Sequence, residues 1–116
     1  MAADPVFPSP SLHLETSKEG ETVTILCHGR LVNDTTMTLQ DEVRRLFSQA
    51  EFKTVVLDLS DVNYIDSSGI GALVGLFVSS KRAGKRLRVI NLKDRVKEML
   101  RVANLLNIFE DYGDSL

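Results

Sequence analysis

Asp66, Ser67 and Ser68 set a carboxylate and two hydroxyls side by side, immediately before a stretch that holds no charged residue until Lys81. Three kinds of chemistry are open to such a group. Each of these residues can cap a helix, because their side-chain oxygens accept from the unpaired N–H groups of a first turn. A serine there can also accept a phosphate. Phosphoserine carries about −1.5 to −2 charges near neutral pH, and a helix N-terminus offers it free donors and the positive end of the dipole. The neighbouring Asp66 would repel it. The local fold could then survive while the surface potential changes sharply, which suits a binding switch. Capping and phosphorylation are compatible, since a serine in a cap can remain exposed. The third possibility is a nucleophilic serine at a strand-to-helix elbow, as in hydrolases. The Gly-x-Ser-x-Gly pattern is missing here, and both histidines, His13 and His28, lie in the first quarter of the chain. With no later histidine to act as base, the chain is not expected to be an enzyme.

Metal chemistry finds little support. Cys27 is the sole cysteine, so neither an internal disulfide nor a cysteine zinc site is available. With two histidines, any transition-metal site would have to be built mostly from carboxylates, and no metal and no cofactor are expected.

The elements around the motif follow from periodicity. All three prolines, Pro5, Pro8 and Pro10, fall in residues 1–11, which read as a flexible leader before a domain over 12–116. Leu12 to Glu15 alternates as a half-buried strand does; Ser17 to Glu21 reads as a turn; and Thr22 to His28 is a second strand with Val23, Ile25 and Cys27 on one side. Asn33, Asp34, Thr35 and Thr36 carry helix-start chemistry, and Leu39, Val43, Leu46, Phe47 and Ala50 recur at helical spacing. Thr54 to Leu57 is a continuous apolar run, the mark of a strand buried on both faces. A second helix is predicted from near Ser68 to near Arg82 with Gly84 as its cap, then a strand over Leu87 to Leu92. A third helix follows from about Lys93 to Ala103, with Val96, Met99, Leu100 and Ala103 on one stripe and Asn104 ending it; Ile108-Phe109 reads as a short last strand. Strands alternating with helices predict one α/β domain, with a mostly parallel sheet of four to five strands, an antiparallel edge strand and helices packed on it.

The motif thus lies at the carboxyl end of the most buried strand, the usual functional edge of such a sheet. The helix that follows is apolar all round. Ile70, Leu73, Val74 and Phe77 make one stripe, and Ala72, Leu76, Gly69, Gly71 and Gly75 fill the rest. Such a helix is either fully buried or shows a second face to a partner. In a 116-residue chain with a single core, the partner face is the favoured reading. Close approach to another surface and close packing on the sheet explain the glycines equally well.

Charge and length exclude other classes. Apolar residues make up 43% and the formal net charge is −2, which gives no reason to expect a nucleic-acid partner. The longest apolar run, Ile70 to Val78, reaches about half of the ~20 residues a membrane span needs. No secretion signal opens the chain, and with a free cysteine the expected compartment is the cytoplasm.

Asp66-Ser67-Ser68-Gly69-Ile70-Gly71, preceded by Val55-Val56-Leu57-Asp58-Leu59-Ser60 and Ile65, resembles the signature of STAS domains, above all those of bacterial anti-sigma factor antagonists. The similarity runs from about Leu12 to Phe109 and takes in Gly29-Arg30-Leu31 after the second strand and the segment from Val96 to Leu106. It implies that Ser67 is phosphorylated by a partner anti-sigma factor, a serine kinase of the histidine-kinase-like ATPase class. The unphosphorylated protein would bind that kinase and displace a sigma factor; the phosphorylated form would release it; a metal-dependent serine phosphatase would reset the switch. The partner-binding residues so implied are Asp66, Ser67, Ser68, Gly69, Ile70 and Leu73, with Asn33 and Asp34 in the loop after the second strand. Many family members carry an aspartate after Gly-x-Leu, where this chain has Val32. The family's usual last helix is expected to be short or absent. A monomer or weak dimer is expected.

The alternative is a STAS module that does not switch, serving as a scaffold or as accessory subunit of a lipid or anion transporter. Among other residues, Asp58 reads as a satisfied structural carboxylate. Lys81, Arg82, Lys85, Arg86 and Arg88 read as a solvated helix end rather than a site for an acidic partner. His28 reads as structural or incidental, with no acid–base partner to assign, and Phe47, Phe52 and Phe77 read as core.

Overall fold

The computed structural model describes residues 11–105. The expected leader, apart from Ser11, and the expected last strand at Ile108-Phe109 lie outside them. Among the described residues the order is β1 (Leu12–Glu19), β2 (Thr22–Leu31), α1 (Thr36–Phe47), β3 (Thr54–Ile65), α2 (Ser67–Ala83), β4 (Arg86–Ile90) and α3 (Asp94–Val102). The strands form one sheet in the order β1-β2-β3-β4. β1 runs antiparallel to β2, while the pairs β2–β3 and β3–β4 are parallel. Parallel neighbours need a crossover, and α1 and α2 supply the two.

β3 is the element on which the rest is built. Val55, Val56 and Leu57 are 1%, 5% and 0% exposed, so this strand is covered on both faces, as the unbroken apolar run predicts. Val23, Ile25 and Cys27 of β2 and Leu87 and Val89 of β4 join Leu57 in one core with Leu39, Val43, Leu46 and Phe47 of α1 and Leu73 and Leu76 of α2. α1 packs on α2 and β3; α2 packs on β3 and β4; α3 leans on β3. Burial pushes the Cys27 thiol up to about 12, so it stays protonated and unreactive.

Several boundaries differ from the sequence reading: β2 runs past the expected end at His28 to Leu31, and α1 ends at Phe47, which leaves Ala50 outside the helix and exposed. The hairpin turn is not Ser17 to Glu21 but the two residues Gly20 and Glu21, with Gly20 at φ 61°, as a two-residue loop requires. Ser17 to Glu19 are polar because they lie on an exposed edge strand, where polarity does not mark a loop. β4 stops at Ile90 because Asn91 turns to φ 60°. β3 runs on to Ile65, well past the apolar run, through two irregularities in its pairing with β2. The ends of α2 and α3 come out as expected, with Gly84 and Asn104 in the left-handed conformation.

Leu57→Ala removes a side chain from the centre of this core. The expected cost is about 2–5 kcal/mol of unfolding free energy, read as a lower urea midpoint at unchanged slope. Met37→Ala, at an exposed position on α1, is expected to change stability by less than about 0.5 kcal/mol.

Candidate functional site

β3 delivers the motif and α2 receives it. Asp66 sits between them in extended conformation and is the N-cap of α2. Its Oδ1 accepts from the Gly69 N–H at 2.8 Å, and its Oδ2 accepts from the Asn33 N–H at 3.1 Å. Its own N–H donates to the Leu31 carbonyl at 3.2 Å. One carboxylate therefore closes the first turn of α2 and ties it to the loop that leaves β2.

That leaves Ser67 with nothing to cap. It is the first residue of α2, exposed, and its hydroxyl makes no hydrogen bond among the described residues. The N–H groups of Ser67 and Ser68 belong to the first turn, where no intrahelical acceptor exists. Ser68 is half-buried and donates to Asn33 Oδ1 at 3.4 Å. Gly69 is buried because α2 presses on the end of β2: an ideal Cβ there would overlap the Leu31 carbonyl oxygen and stand 2.6 Å from Ile65 Cγ1. Packing against the chain's own sheet thus explains this glycine.

The loop after β2 is held by a residue whose role the sequence did not single out. Thr35 is 4% exposed; its Oγ1 donates to the Arg30 carbonyl at 2.7 Å and accepts from the Val32 N–H at 3.0 Å. Thr35 is the N-cap of α1 but makes no side-chain bond to that helix, its hydroxyl being spent on the loop. Val32 is turned inward, 8% exposed, while Asn33 and Asp34 are exposed. Asn33 joins the site through Asp66 and Ser68. No contact brings Asp34 to it among the described residues.

The buried stripe of α2 is Gly69, Ala72, Leu73, Leu76 and Ser80, which corrects the expected stripe of Ile70, Leu73, Val74 and Phe77. The close approach at Gly69 decides the rotation. Leu73 is 0% exposed and meets the core; it positions the helix rather than meeting a partner's surface. Ile70 and Phe77 are half-buried and pack against the core, Val74 is half-buried and Val78 is 44% exposed, so the second apolar face is only partly covered. Beside Ser67, Ile70 of this face shares a groove with residues of α3. Tyr64, Ile65, Ser67, Ile70, Met99 and Val102 are among the residues that line a mostly apolar groove of about 530 Å³. Val102 is 78% exposed. Only the amphipathic stripe of α3 announced this wall, and nothing in it pointed to the motif.

His28 proves to have acid–base partners after all. Asp61 Oδ2 lies 2.5 Å from Nδ1, and Glu15 Oε1 lies 3.4 Å from Nε2. The Nε2 contact lacks hydrogen-bond geometry although that nitrogen is shielded from water. Its pKa is raised above 6.5, first by the hydrogen bond to Asp61 and then by Glu15. Asp58 behaves as expected, accepting from the Ser60 N–H at 3.0 Å. Lys85 is structural, its ammonium donating to the carbonyls of Gln49 and Phe52 at 3.0 and 2.7 Å. Phe47 and Phe52 are core, whereas Phe77 is only half-buried.

A profile of the STAS domain family matches residues 13–115. The chain belongs to the STAS domain family. A protein of Listeria monocytogenes described as an anti-sigma-B factor antagonist is 30% identical over 69 residues, which span 60% of each chain. The anti-sigma factor antagonist SpoIIAA in its unphosphorylated form superposes with a TM-score of 0.69 at 21% identity, over 84% of both chains. The Bacillus cell fate determinant SpoIIAA in the phosphorylated form gives 0.66 at 18% identity, over 91% of this chain and 89% of that one. The sheet order and three described helices are those of this fold. No helix among the described residues is long and apolar enough to cross a membrane.

Two outcomes follow. Asp66→Ala is expected to cost about 1–2 kcal/mol, as the loss of an N-cap does, and Asp66→Asn less, both read by urea unfolding. His28 has a raised folded-state pKa, so its contribution to stability is fully present below about pH 6.5 and is lost as the pH rises through the folded value. The urea midpoint of the native protein minus that of His28→Gln is expected to fall across that window; an unchanged difference would refute the pairing.

Proposed function

We propose that this protein is an anti-sigma factor antagonist whose binding is switched by phosphorylation of Ser67. The unphosphorylated protein sequesters an anti-sigma serine kinase of the histidine-kinase-like ATPase class in the cytoplasm and so releases a sigma factor. Transfer of the ATP γ-phosphoryl group forms the Ser67 Oγ–P bond as the bond to ADP breaks and the hydroxyl proton leaves. Release of the kinase follows, and a metal-dependent serine phosphatase restores the hydroxyl. The Listeria relative and SpoIIAA carry the antagonist description, and SpoIIAA is known in both phosphorylation states.

One observation carries the reading. Asp66 takes the capping role, which leaves the Ser67 hydroxyl exposed and unengaged at the positive end of a helix, in the lining of a mostly apolar groove. A phosphate there is tolerated by the free protein, because water and first-turn N–H groups surround it. Once a partner covers Ile70, Met99 and Val102, the same phosphate loses its water, and a dianion without partners is costly to bury. Val32 in place of the family's usual aspartate lies inward, so kinase contact in this loop falls to Asn33 and Asp34.

Ser67→Ala is expected to keep kinase binding and abolish phosphorylation, read by mass spectrometry after incubation with the cognate kinase and ATP. Ser67→Asp is expected to weaken binding at least about tenfold, or ~1.4 kcal/mol. Equal affinity of Ser67→Asp and the native protein would sink the switch.

A further inference from the structure

Two arginines converge on one tyrosine next to this site. The guanidinium carbon of Arg30 lies 5.2 Å from the Tyr64 ring centroid, and that of Arg95 lies 5.5 Å from it. Arg30, Asn63, Tyr64 and Arg95 together line an open concavity of about 600 Å³. Its position is built in. Between the pairs Gly29↔Val62 and Arg30↔Tyr64, β3 advances by one residue more than β2, and this bulge sets Tyr64 opposite Arg30. The backbone of Arg30 is held on both sides, its N–H by the Ser11 carbonyl at 3.1 Å and its carbonyl by Thr35 Oγ1 at 2.7 Å. Arg95 comes from the first turn of α3.

Among the described residues no ion pair balances the charge there. Arg45 pairs with Glu42, and Arg101 pairs with Glu98. Among the described residues no carboxylate pairs with Arg30 or Arg95. Two like charges over one ring repel each other, and each is a flat fork of N–H donors suited to oxyanions. Two guanidiniums match a dianion; a single carboxylate would leave one of them unbalanced. The Asn63 amide adds a donor at the same concavity.

We propose that Arg30, Arg95 and Asn63, arrayed on Tyr64, form a receptor for a phosphate-monoester dianion. Two sources carry that chemistry. One is a phosphate on Ser67, because Tyr64 also lines the groove that Ser67 lines; this source rests on the switch proposed above. The other is a separate phosphate-bearing ligand, which does not depend on the switch.

The test follows the side-chain Nε–Hε resonances of Arg30 and Arg95 in the ¹⁵N-labelled full chain. Inorganic phosphate is titrated at constant ionic strength against chloride, into the unmodified protein and into protein with phosphoserine installed at position 67. Saturable shifts in the first arm support the site, and if they persist undiminished in the phosphoserine protein they support a separate ligand. Shifts on installing phosphoserine, with added phosphate then having no effect, support the site and assign it to Ser67. Arg30→Gln and Arg95→Gln are each expected to weaken the phosphate response at least tenfold, while Arg44→Gln leaves it unchanged. If neither arm moves these resonances, or chloride moves them equally, the receptor is refuted, and the phosphorylation switch itself stands untouched by that result.

Discussion

The carboxylate of Asp66 is the joint of this molecule. One oxygen holds the first turn of α2 through Gly69, and the other holds the β2–α1 loop through Asn33. The two segments are 33 residues apart in the chain at this bond, so a single short side chain sets the spacing of the functional edge. The rest depends on it. With the cap supplied by position 66, position 67 is free of structural duty, and the helix end can carry charge without losing its first turn. Had Ser67 been the cap, modification would have broken the helix start and the switch would have unfolded part of its own binding surface.

The sheet positions this joint by deliberate irregularity. Between Leu26↔Asp58 and His28↔Asp61, three residues of β3 advance against two of β2; a second such step separates Gly29↔Val62 from Arg30↔Tyr64. Without the first, Asp61 would not face His28. Without the second, Tyr64 would not face Arg30. Bulges re-aim side chains at the cost of ladder bonds, and here they fall on the half of β3 that leads into the motif. The other half, Thr54 to Asp58, keeps strict pairing with both neighbours, and both halves feed the core, Val55 and Leu57 from this one and Leu59, Val62 and Ile65 from the other.

What could be read from the residues divides along the same line. Element order, the parallel sheet, the antiparallel edge, the doubly buried stretch Val55 to Leu57 and both left-handed helix ends follow from periodicity and cap chemistry, which are local. Asp66, Ser67 and Ser68 were legible as a group because their types are unusual before an uncharged run. Their division of labour was not, since three good capping residues in sequence leave open which one caps. The orientation of α2 was missed for a similar reason. An all-apolar helix has no polar face to break the tie, and the deciding contact, Gly69 against Leu31 and Ile65, joins residues distant in sequence. The pairing of His28 with Asp61 and Glu15 was illegible because it depends on a bulge and on the β1–β2 register together.

The surface around Ser67 explains why one modification would suffice there. The groove beside it is built from Ile65, Ile70, Met99 and Val102, which gain by shedding water, whereas a phosphate gains by keeping it. In the free protein the two demands do not conflict, because Ser67 is exposed and keeps its water. A docking partner forces the conflict by drying both at once. On the proposed switch, the penalty would fall on the complex alone and leave the fold intact, so affinity would be switched while stability would not. That separation requires a rigid edge, one that cannot move the serine aside when the charge arrives, and the cross-link through Asp66, Asn33 and Gly69 supplies the rigidity.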